Sequence, residues 1–365
     1  MSSQIYEGQI PDGWYVATLG EICEISAGGD LGRLTFSHIK TDKFLNPIYS
    51  NAVSNNGLYG YSSDFDFEGN FVTVTARGYI GYAVARSGKF CSIGRLLNLK
   101  PKFDISCYYV AEYINQFIYF VIESTGVPQL TVPQISKYKI LMPKDKAEQE
   151  RIAQVLGDMD DLISAKCKLL DKKRDIKQGV AQQLLTPKPH WHTAMLGEIL
   201  QYEQPTNYII QDIEILEKGS VPVLTAGKSF ILGYTEEEFD CYENFPVIIF
   251  DDFTTDSKFV NFRFKVKSSA MKMLKPKNEK ISIKLAFMLL QNINFFVGDH
   301  KRHWISEFSK FEISFPDITE QTKIAQILSD MDDEISALQD EIEKLKMIKQ
   351  GVMGELLSGK IRLKG

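Results

Sequence analysis

The sequence predicts two mixed α/β domains, each followed by one long helix, in a chain built by internal duplication. Residues 148–185 align with residues 320–357 at a constant offset of 172, with 21 identities in 38 positions and no gap. Shorter matches precede this block at offsets that shrink along the chain: "WYVATLGEI" (14–22) with "WHTAMLGEI" (191–199), "LKPK" (99–102) with "LKPK" (274–277), and "SKYKILMP" (136–143) with "SKFEISFP" (309–316). Two copies that lost residues from loops would drift in this way, so the repeat defines the organisation.

The repeated block predicts a long amphipathic helix in each copy. In the second copy, hydrophobic residues recur in alternating steps of four and three, which is a heptad seam: Ile324, Leu328, Met331, Ile335, Leu338, Ile342 and Leu345. The first copy has Lys166 and Lys173 where the second has leucines. Each helix would be roughly 55 Å long at ~1.5 Å per residue, and "TPKP" (186–189) would stop the first. The two helices would pair in either a parallel or an antiparallel coiled coil, and we expect the antiparallel one, because a duplicated chain favours a near-twofold arrangement.

The segments outside the helices predict α/β domains, since short strand-like runs alternate with glycine turns and helices. The strand-like runs include "NFVTVTA" (70–76) and "FPVIIFDDF" (245–253), and helices are expected near 105–122 and 281–293. The sequence therefore divides the chain into two α/β domains, each followed by a helical spacer: 1–145, 146–188, 189–318 and 319–365.

Composition places the chain among globular proteins, with 44% hydrophobic and 24% charged residues. The N-terminal residues, "MSSQIYEGQIPDGW", have no basic or long apolar run, so we expect no secretory signal. The apolar run 105–122 contains Glu112, which favours a buried helix over a membrane span. The five cysteines are scattered without a CxxC motif, which favours a reduced, cytoplasmic protein. The sequence has no phosphate-binding GxxxxGK[ST] loop and no complete methyltransferase motif, so we expect no active site in this chain.

A net charge of −5 conceals a local cationic stretch. From Lys258 to Lys284 there are nine basic residues against one acid, with phenylalanines interleaved. At a comparable position in the first domain, "TARGYIGYAVARSG" (75–88) places two arginines among glycines and tyrosines. Arginine suits guanine edges and phosphates, and glycine lets a backbone approach a duplex. The alternative is an ordinary strand, turn and strand with exposed arginines.

Two other groups of polar residues allow more than one interpretation. "HKRH" (300–303) would contact phosphates or bases, form a plain surface loop, or offer two metal-ligating imidazoles without a third ligand. Asp251, Asp252 and Asp256 would form either a solvated loop after a buried strand, which we favour, or a metal-binding cluster.

The tetrad DMDD occurs in both helices, at 158–161 and 330–333. Neighbouring positions differ between the copies, whereas these acids are identical, as two identical docking partners would require. A solvated acidic face is the alternative. The predicted partner-binding residues are Asp158, Asp160, Asp161, Asp330, Asp332 and Asp333.

Two variable domains, each followed by an "EQ..IAQ.L..MD..I" helix that ends in "KQGV...LL", resemble the specificity subunit of type I restriction–modification systems. The resemblance covers essentially the whole chain and includes the terminal "LLSGKIRL" (356–363). It implies two target recognition domains, each reading one half of a split DNA site, with a coiled coil that fixes their distance. It also implies docking of two methyltransferase subunits that methylate adenine with S-adenosylmethionine, and of two restriction subunits that use ATP and Mg²⁺. This chain would itself bind no cofactor.

The family has no fixed base-contact motif to transfer, so the predicted DNA contacts depend on residue chemistry. They are Arg77, Tyr79, Arg86, Lys89 and Arg95 in the first domain, and Lys228, Lys258, Arg263, Lys265, Lys267, Lys301, Arg302 and His303 in the second. One alternative is a coiled-coil adaptor that never binds DNA, which salt-dependent duplex binding would separate from a DNA reader. Another is a DNA reader in a single-nuclease or orphan methylation system.

Overall fold

The computed structural model describes residues 10–121, 128–211, 214–225, 230–293 and 303–363. It divides into two compact units, each containing one α/β domain and parts of both long helices. Unit 1 comprises Met1–Lys168 with Asp340–Gly365, and unit 2 comprises Leu169–Gln339. The boundary between the units falls inside both helices.

Unit 1 contains eleven strands among its described residues: β1 (Trp14–Thr18), β2 (Cys23–Ala27), β3 (Phe36–Ser37), β4 (Asn46–Tyr49), β5 (Leu58–Ser62), β6 (Phe67–Glu68), β7 (Phe71–Val74), β8 (Ala83–Arg86), β9 (Lys89–Ser92), β10 (Leu97–Pro101) and β11 (Lys139–Pro143). Its helices are α1 (Leu19–Ile22), α2 (Cys107–Phe117), α3 (Val132–Ile135) and the start of α4 (Lys146–Leu184). The strands form a four-stranded sheet in the order β2-β10-β7-β8, a five-stranded sheet β3-β5-β4-β9-β6, and the pair β1-β11.

Unit 2 repeats this topology with β12 (His192–Met195), β13 (Leu200–Glu203), β14 (Val221–Leu224), β15 (Ile231–Thr235), β16 (Val247–Asp251), β17 (Ser257–Val260), β18 (Lys265–Val266), β19 (Met271–Pro276) and β20 (Glu312–Phe315). Its helices are α5 (Leu196–Ile199), α6 (Ile283–Gln291), α7 (His303–Ser306) and most of α8 (Ile318–Leu357). The orders β13-β19-β16-β17 and β12-β20 correspond to β2-β10-β7-β8 and β1-β11 of unit 1. The three-stranded sheet β15-β14-β18 corresponds to β5-β4-β9, the centre of the five-stranded sheet, and each contains a parallel pair, β4 with β9 and β14 with β18. The predicted duplication and α/β class are therefore confirmed.

The start of each long helix is fixed to its own domain by one buried glutamine. Gln149 accepts a hydrogen bond from the backbone N of Ser106, the N-cap of α2, and donates to the carbonyl of Pro143. Gln321 makes the equivalent bonds with Ser282, the N-cap of α6, and with the carbonyl of Pro316. These glutamines are themselves related by the offset of 172, so the repeat extends to the hydrogen bonds that join helix and domain.

Within each unit, ion pairs between α4 and α8 have an antiparallel register. In unit 1, Lys166 contacts Glu341 and Asp160 contacts Lys349. In unit 2, the pairs are Lys173 with Glu334 and Lys177 with Asp332. The lysines at seam positions of α4 are therefore paired with glutamates of α8.

The α/β domain of unit 1 also covers part of the hydrophobic face of the long helices. Ile152 and Leu156 of α4, with Leu356 and Leu357 of α8, belong to the core of unit 1. Among the described residues, no helix has the length and apolar character needed to cross a membrane.

Candidate nucleic-acid interface

A single asparagine joins three loops of unit 1 into one surface. Oδ1 of Asn51, after β4, accepts a hydrogen bond from the backbone N of Ala76 at 2.7 Å, and its Nδ2 donates to the carbonyl of Gly94 at 2.6 Å. Ala76 lies between β7 and β8, and Gly94 lies between β9 and β10. We call residues 50–57, 75–82 and 93–96 together the three-loop surface.

The β7–β8 loop exposes Arg77 and Tyr79 at this surface. The side chain of Tyr79 is 69% exposed, and Arg77 is exposed with Nε and Nη2 donating to Oε1 of Gln129 at 3.0 and 2.7 Å. The loop backbone is fixed because Oγ1 of Thr75 donates to the carbonyl of Tyr79. A guanidinium and a ring on an ordered loop are suited to phosphate and base contacts.

Arg86 lies in a different environment from the one predicted. Its Nε donates to Oγ1 of Thr73 at 3.0 Å, its Nη2 donates to the carbonyl of Asn56, and its guanidinium carbon lies 3.7 Å from the centre of the Tyr49 ring. Burial lowers the pKa of Arg86. The guanidinium of Arg86 therefore supports the loop after β4, and a DNA contact by Arg86 stays a prediction.

Lys89 and Arg95 are both exposed in unit 1. Nζ of Lys89 lies 3.8 Å from the carboxylate of Glu68 and 4.3 Å from the centre of the Phe65 ring. Arg95 lies in the β9–β10 turn with a φ of +66°. Arg95 therefore belongs to the three-loop surface, whereas Lys89 begins β9 outside it.

The cationic stretch of unit 2 does not form one continuous surface, because some of its lysines are buried and others are exposed. Lys265 is completely buried, with Nζ 2.5 Å from the carboxylate of Glu237 and 4.4 Å from the centre of the Phe239 ring. Lys272 is also buried, 3.1 Å from the carboxylate of Asp252. Lys265 is therefore not available at the surface, contrary to the prediction.

Three predicted cations of unit 2 do reach the surface. Lys258 lies 3.6 Å from Asp256, Arg263 lies 3.5 Å from Glu238, and Lys267 is exposed at the end of β18. These three residues stay predicted phosphate contacts. Three others lie outside the described residues: Lys228, Lys301 and Arg302.

His303 and two of the neighbouring aspartates lie in the interior of unit 2. The backbone N atoms of His303 and Trp304 donate to the carbonyl and to Oδ1 of Asp252, at 2.9 and 2.8 Å. Asp251 accepts a hydrogen bond from Oγ1 of Thr254. Asp251, Asp252 and His303 are 5%, 1% and 4% exposed. The predicted solvated loop was therefore wrong for these two aspartates, although Asp256 is exposed, and the predicted surface position of His303 was also wrong. In the described ranges, no group of three His, Cys, Asp or Glu residues is placed to hold a metal ion.

The acidic tetrads divide into two kinds of position. Asp160 accepts hydrogen bonds from Lys349, and the equivalent Asp332 accepts one from Lys177. These two lysines are also 172 residues apart, so one structural requirement explains the identity of both pairs. The other four acids are exposed and stay candidates for partner docking: Asp158, Asp161, Asp330 and Asp333.

The sequence reasoning missed the asparagines of the three-loop surface. "SNNG" (54–57) is a signature of a left-handed turn, and it could have indicated Asn55 and Asn56. Asn51 gave no local signal, because its hydrogen-bond partners are 25 and 43 residues away in the chain.

Two domains of one topology, each joined to long helices that carry matched acidic tetrads, define a duplicated recognition protein. The chain belongs to the family of the type I restriction modification DNA specificity domain, whose model matches residues 11–172 and again residues 189–347.

Individual relatives agree with this assignment. The chain is 46% identical over 159 residues to a type I restriction enzyme specificity subunit of Escherichia coli. This alignment covers 40% of this chain and 38% of that protein. It is 26% identical to a putative type I restriction enzyme specificity subunit of Methanocaldococcus jannaschii, over 98% of this chain and 96% of that protein. The crystal structure of a type I restriction–modification S subunit from M. genitalium shares the fold, with a TM-score of 0.69 at 16% identity over 98% and 99% of the two chains. Three curated relatives are matched over 38%, 59% and 46% of their lengths, so the chain spans about half of them.

Proposed function

We propose that this chain is the DNA sequence-recognition subunit of a type I restriction–modification complex. The observation that carries the proposal is the duplication of one specificity domain within a single chain, with the same order of strands in the four-stranded sheet of each unit. Two equivalent readers on one chain suit a target with two half-sites, since protein symmetry and half-site arrangement correspond in DNA recognition.

DNA contact by unit 1 would use the three-loop surface. Arg77 and Arg95 would bind phosphates and fix the register, while Tyr79 and the loop backbone would approach the bases. In unit 2, the exposed Lys258 and Lys267 would bind phosphates. The long helices would form the antiparallel coiled coil that sets the distance between the half-sites, as the register within each unit supports.

Two methyltransferase subunits would dock on helix residues that are exposed and identical in both copies. Ile176 and its equivalent Ile348 are 47% and 43% exposed. Exposed apolar side chains at equivalent positions of both helices are typical of a surface that binds a partner. Other helix residues that are exposed and identical in both copies are Gln154, Asp158, Asp161, Gln326, Asp330 and Asp333. The same surface presented twice binds two identical partners.

The chemistry would then belong to the partners. The methyltransferase subunits would use S-adenosylmethionine to methylate adenine, and restriction subunits would use ATP and Mg²⁺. This chain would supply the DNA sequence at which they act.

Comparison of genomic DNA methylation with and without this gene, its neighbours intact, tests the proposal. We expect loss of one split adenine-methylation motif. Duplex binding by the purified chain should also weaken with salt. The logarithm of the binding constant should fall linearly with the logarithm of the salt concentration, with a slope of about −0.9 per phosphate contact. Unchanged methylation together with no duplex binding would instead support a coiled-coil adaptor.

Partner docking has its own test in the same complex. Ile176→Asp and Ile348→Asp should each remove one of two methyltransferase subunits, and the double variant should remove both, as measured by mass of the purified complex. Leu162→Glu is the matched control, because Leu162 is 45% exposed and the second copy already has Glu334 at this position. Two subunits retained by the double isoleucine variant would refute the docking surface.

A further inference from the structure

The loop after β4 contains three consecutive residues in the left-handed region. Asn55, Asn56 and Gly57 have φ values of +48°, +50° and +78°. Only glycine fits the third position, because a Cβ there would lie 2.7 Å from the carbonyl O of Ser50. Asparagine tolerates this region, but consecutive examples persist only where the surroundings determine the conformation.

The surroundings of Asn56 provide that determination. Its Oδ1 accepts a hydrogen bond from the Tyr82 hydroxyl at 2.8 Å, and its carbonyl accepts one from Nη2 of Arg86. Arg86 is itself fixed by Thr73 at 3.0 Å and by stacking on Tyr49 at 3.7 Å. The conformation of the turn is therefore fixed by Arg86, whose own side chain is held by Thr73 and Tyr49.

Asn55 lies next to this anchor and is exposed. Within the described part of the chain, no hydrogen bond engages its side-chain amide, which has both a donor and an acceptor to offer. The same pair of groups recognises the N6 donor and N7 acceptor of adenine in the major groove.

Cations for the DNA backbone lie on the same surface. Asn51 ties this loop to the β7–β8 loop that carries Arg77 and to the turn that carries Arg95. Phosphate contacts from these arginines would fix the register that a base-reading amide requires.

We propose that Asn55 reads an adenine edge in the half-site bound by unit 1, and that Arg86 is a positioning residue that holds Asn55 in place. This inference rests on the proposed function and names a specificity determinant within it. If the asparagines served only to form the turn, the side-chain amide of Asn55 would not be needed for the choice of DNA sequence.

Selection of a random double-stranded oligonucleotide library by the purified full-length chain, followed by sequencing, separates these roles. Asn55→Gly keeps the left-handed turn, because glycine adopts positive φ freely, and removes only the amide. We expect preference for one A·T pair to fall by about 5-fold to 150-fold, the contribution of one bidentate base contact. The other half-site should be unchanged, and Ser54→Gly, which adds a glycine one residue earlier, should leave the motif intact.

Arg86→Lys tests the positioning role in the same selection. It keeps the charge and loses the guanidinium fork, so preference at the same A·T pair should fall while the salt dependence of binding stays constant. Two results with Asn55→Gly would overturn the inference and leave the proposed function standing: an unchanged split motif, or a reduced preference at a G·C pair instead of an A·T pair. A wild-type chain that selects no motif would overturn both.

Discussion

Lys349 donates two hydrogen bonds of 2.7 Å to the carboxylate of Asp160, and its equivalent Lys177 contacts Asp332 in unit 2. The two pairs share residue types and register, but their surroundings differ. In unit 1, the same lysine lies 3.4 Å from Glu112, whose side chain is 13% exposed. Burial raises the pKa of Glu112, and Lys349 opposes that shift. The lysine–aspartate pair therefore contributes more to stability in unit 1, where the lysine also neutralises Glu112.

Lys349→Ala should accordingly destabilise the protein more than Lys177→Ala. Loss of Lys349 leaves a buried carboxylate without its counter-charge, which costs about 1–3 kcal/mol. Loss of Lys177 removes a partly exposed pair, which contributes ~0–1 kcal/mol. Urea denaturation of the full chain measures both, and equal losses would mean that Glu112 does not depend on Lys349.

Gln321 provides a second test of the repeat. It is completely buried and bonds the backbone N of Ser282 and the carbonyls of Lys280 and Pro316. Gln321→Ala leaves those backbone groups unsatisfied, which we expect to cost about 1–3 kcal/mol for each group that water cannot reach.

The matched control for this prediction is Gln326→Ala, since Gln326 is exposed and bonds only Asp330 among the described residues. It should change the free energy of unfolding by less than about 0.5 kcal/mol. A similar change for both variants in thermal and urea denaturation would contradict the role given to the buried glutamine.

The sequence predicted features that depend on periodicity and repetition. The heptad steps and the proline stop located α4 and α8, because these signals act over neighbouring turns of one helix. The duplication predicted that both domains would share one fold, and their sheet orders agree.

The candidate site was harder to predict, because charge along the chain does not specify which face a side chain occupies. Lys265 and Lys267 are two residues apart, yet one is paired with Glu237 in the interior and the other is exposed. Arg86 is likewise held by Thr73 and Tyr49, which are distant in sequence. These placements depend on tertiary partners that no local pattern indicates.

Acid should weaken one contact of unit 2 in a defined pH range. Lys188 and then His190 donate to Glu320 and lower the pKa of its carboxyl from 4.5 to about 2. A folded-state pKa below the unfolded value contributes stability that is present above pH 4.5 and is lost as the pH falls towards 2. The difference in thermal midpoint between the wild type and Glu320→Gln should therefore shrink across this range.

Glu148→Gln is the matched variant in unit 1, where Arg362 lowers the pKa of the Glu148 carboxyl. It should show the same sign of pH dependence. A midpoint difference that is constant between pH 5 and pH 2 for both variants would contradict the assignment of these carboxylates.

Lys265 and Lys267 offer a direct test of which cations contact DNA. Lys267→Ala should weaken binding to all duplexes similarly and reduce the salt slope by about 0.9, because one phosphate contact is lost. Lys265→Met should leave the slope unchanged but cost about 3–5 kcal/mol of stability, because it removes one partner of a buried ion pair.

Glu237→Gln added to Lys265→Met should recover much of that stability. The amide removes the buried negative charge and keeps an acceptor for the backbone N of Gln211, which bonds Glu237 at 2.9 Å. Fluorescence anisotropy over a series of salt concentrations gives the slopes, and urea denaturation gives the stabilities. In this structure the ammonium group of Lys265 contacts Glu237 and the ring of Phe239. A reduced salt slope for the double variant would mean that Lys265 contacts DNA in a different conformation, and would contradict the prediction.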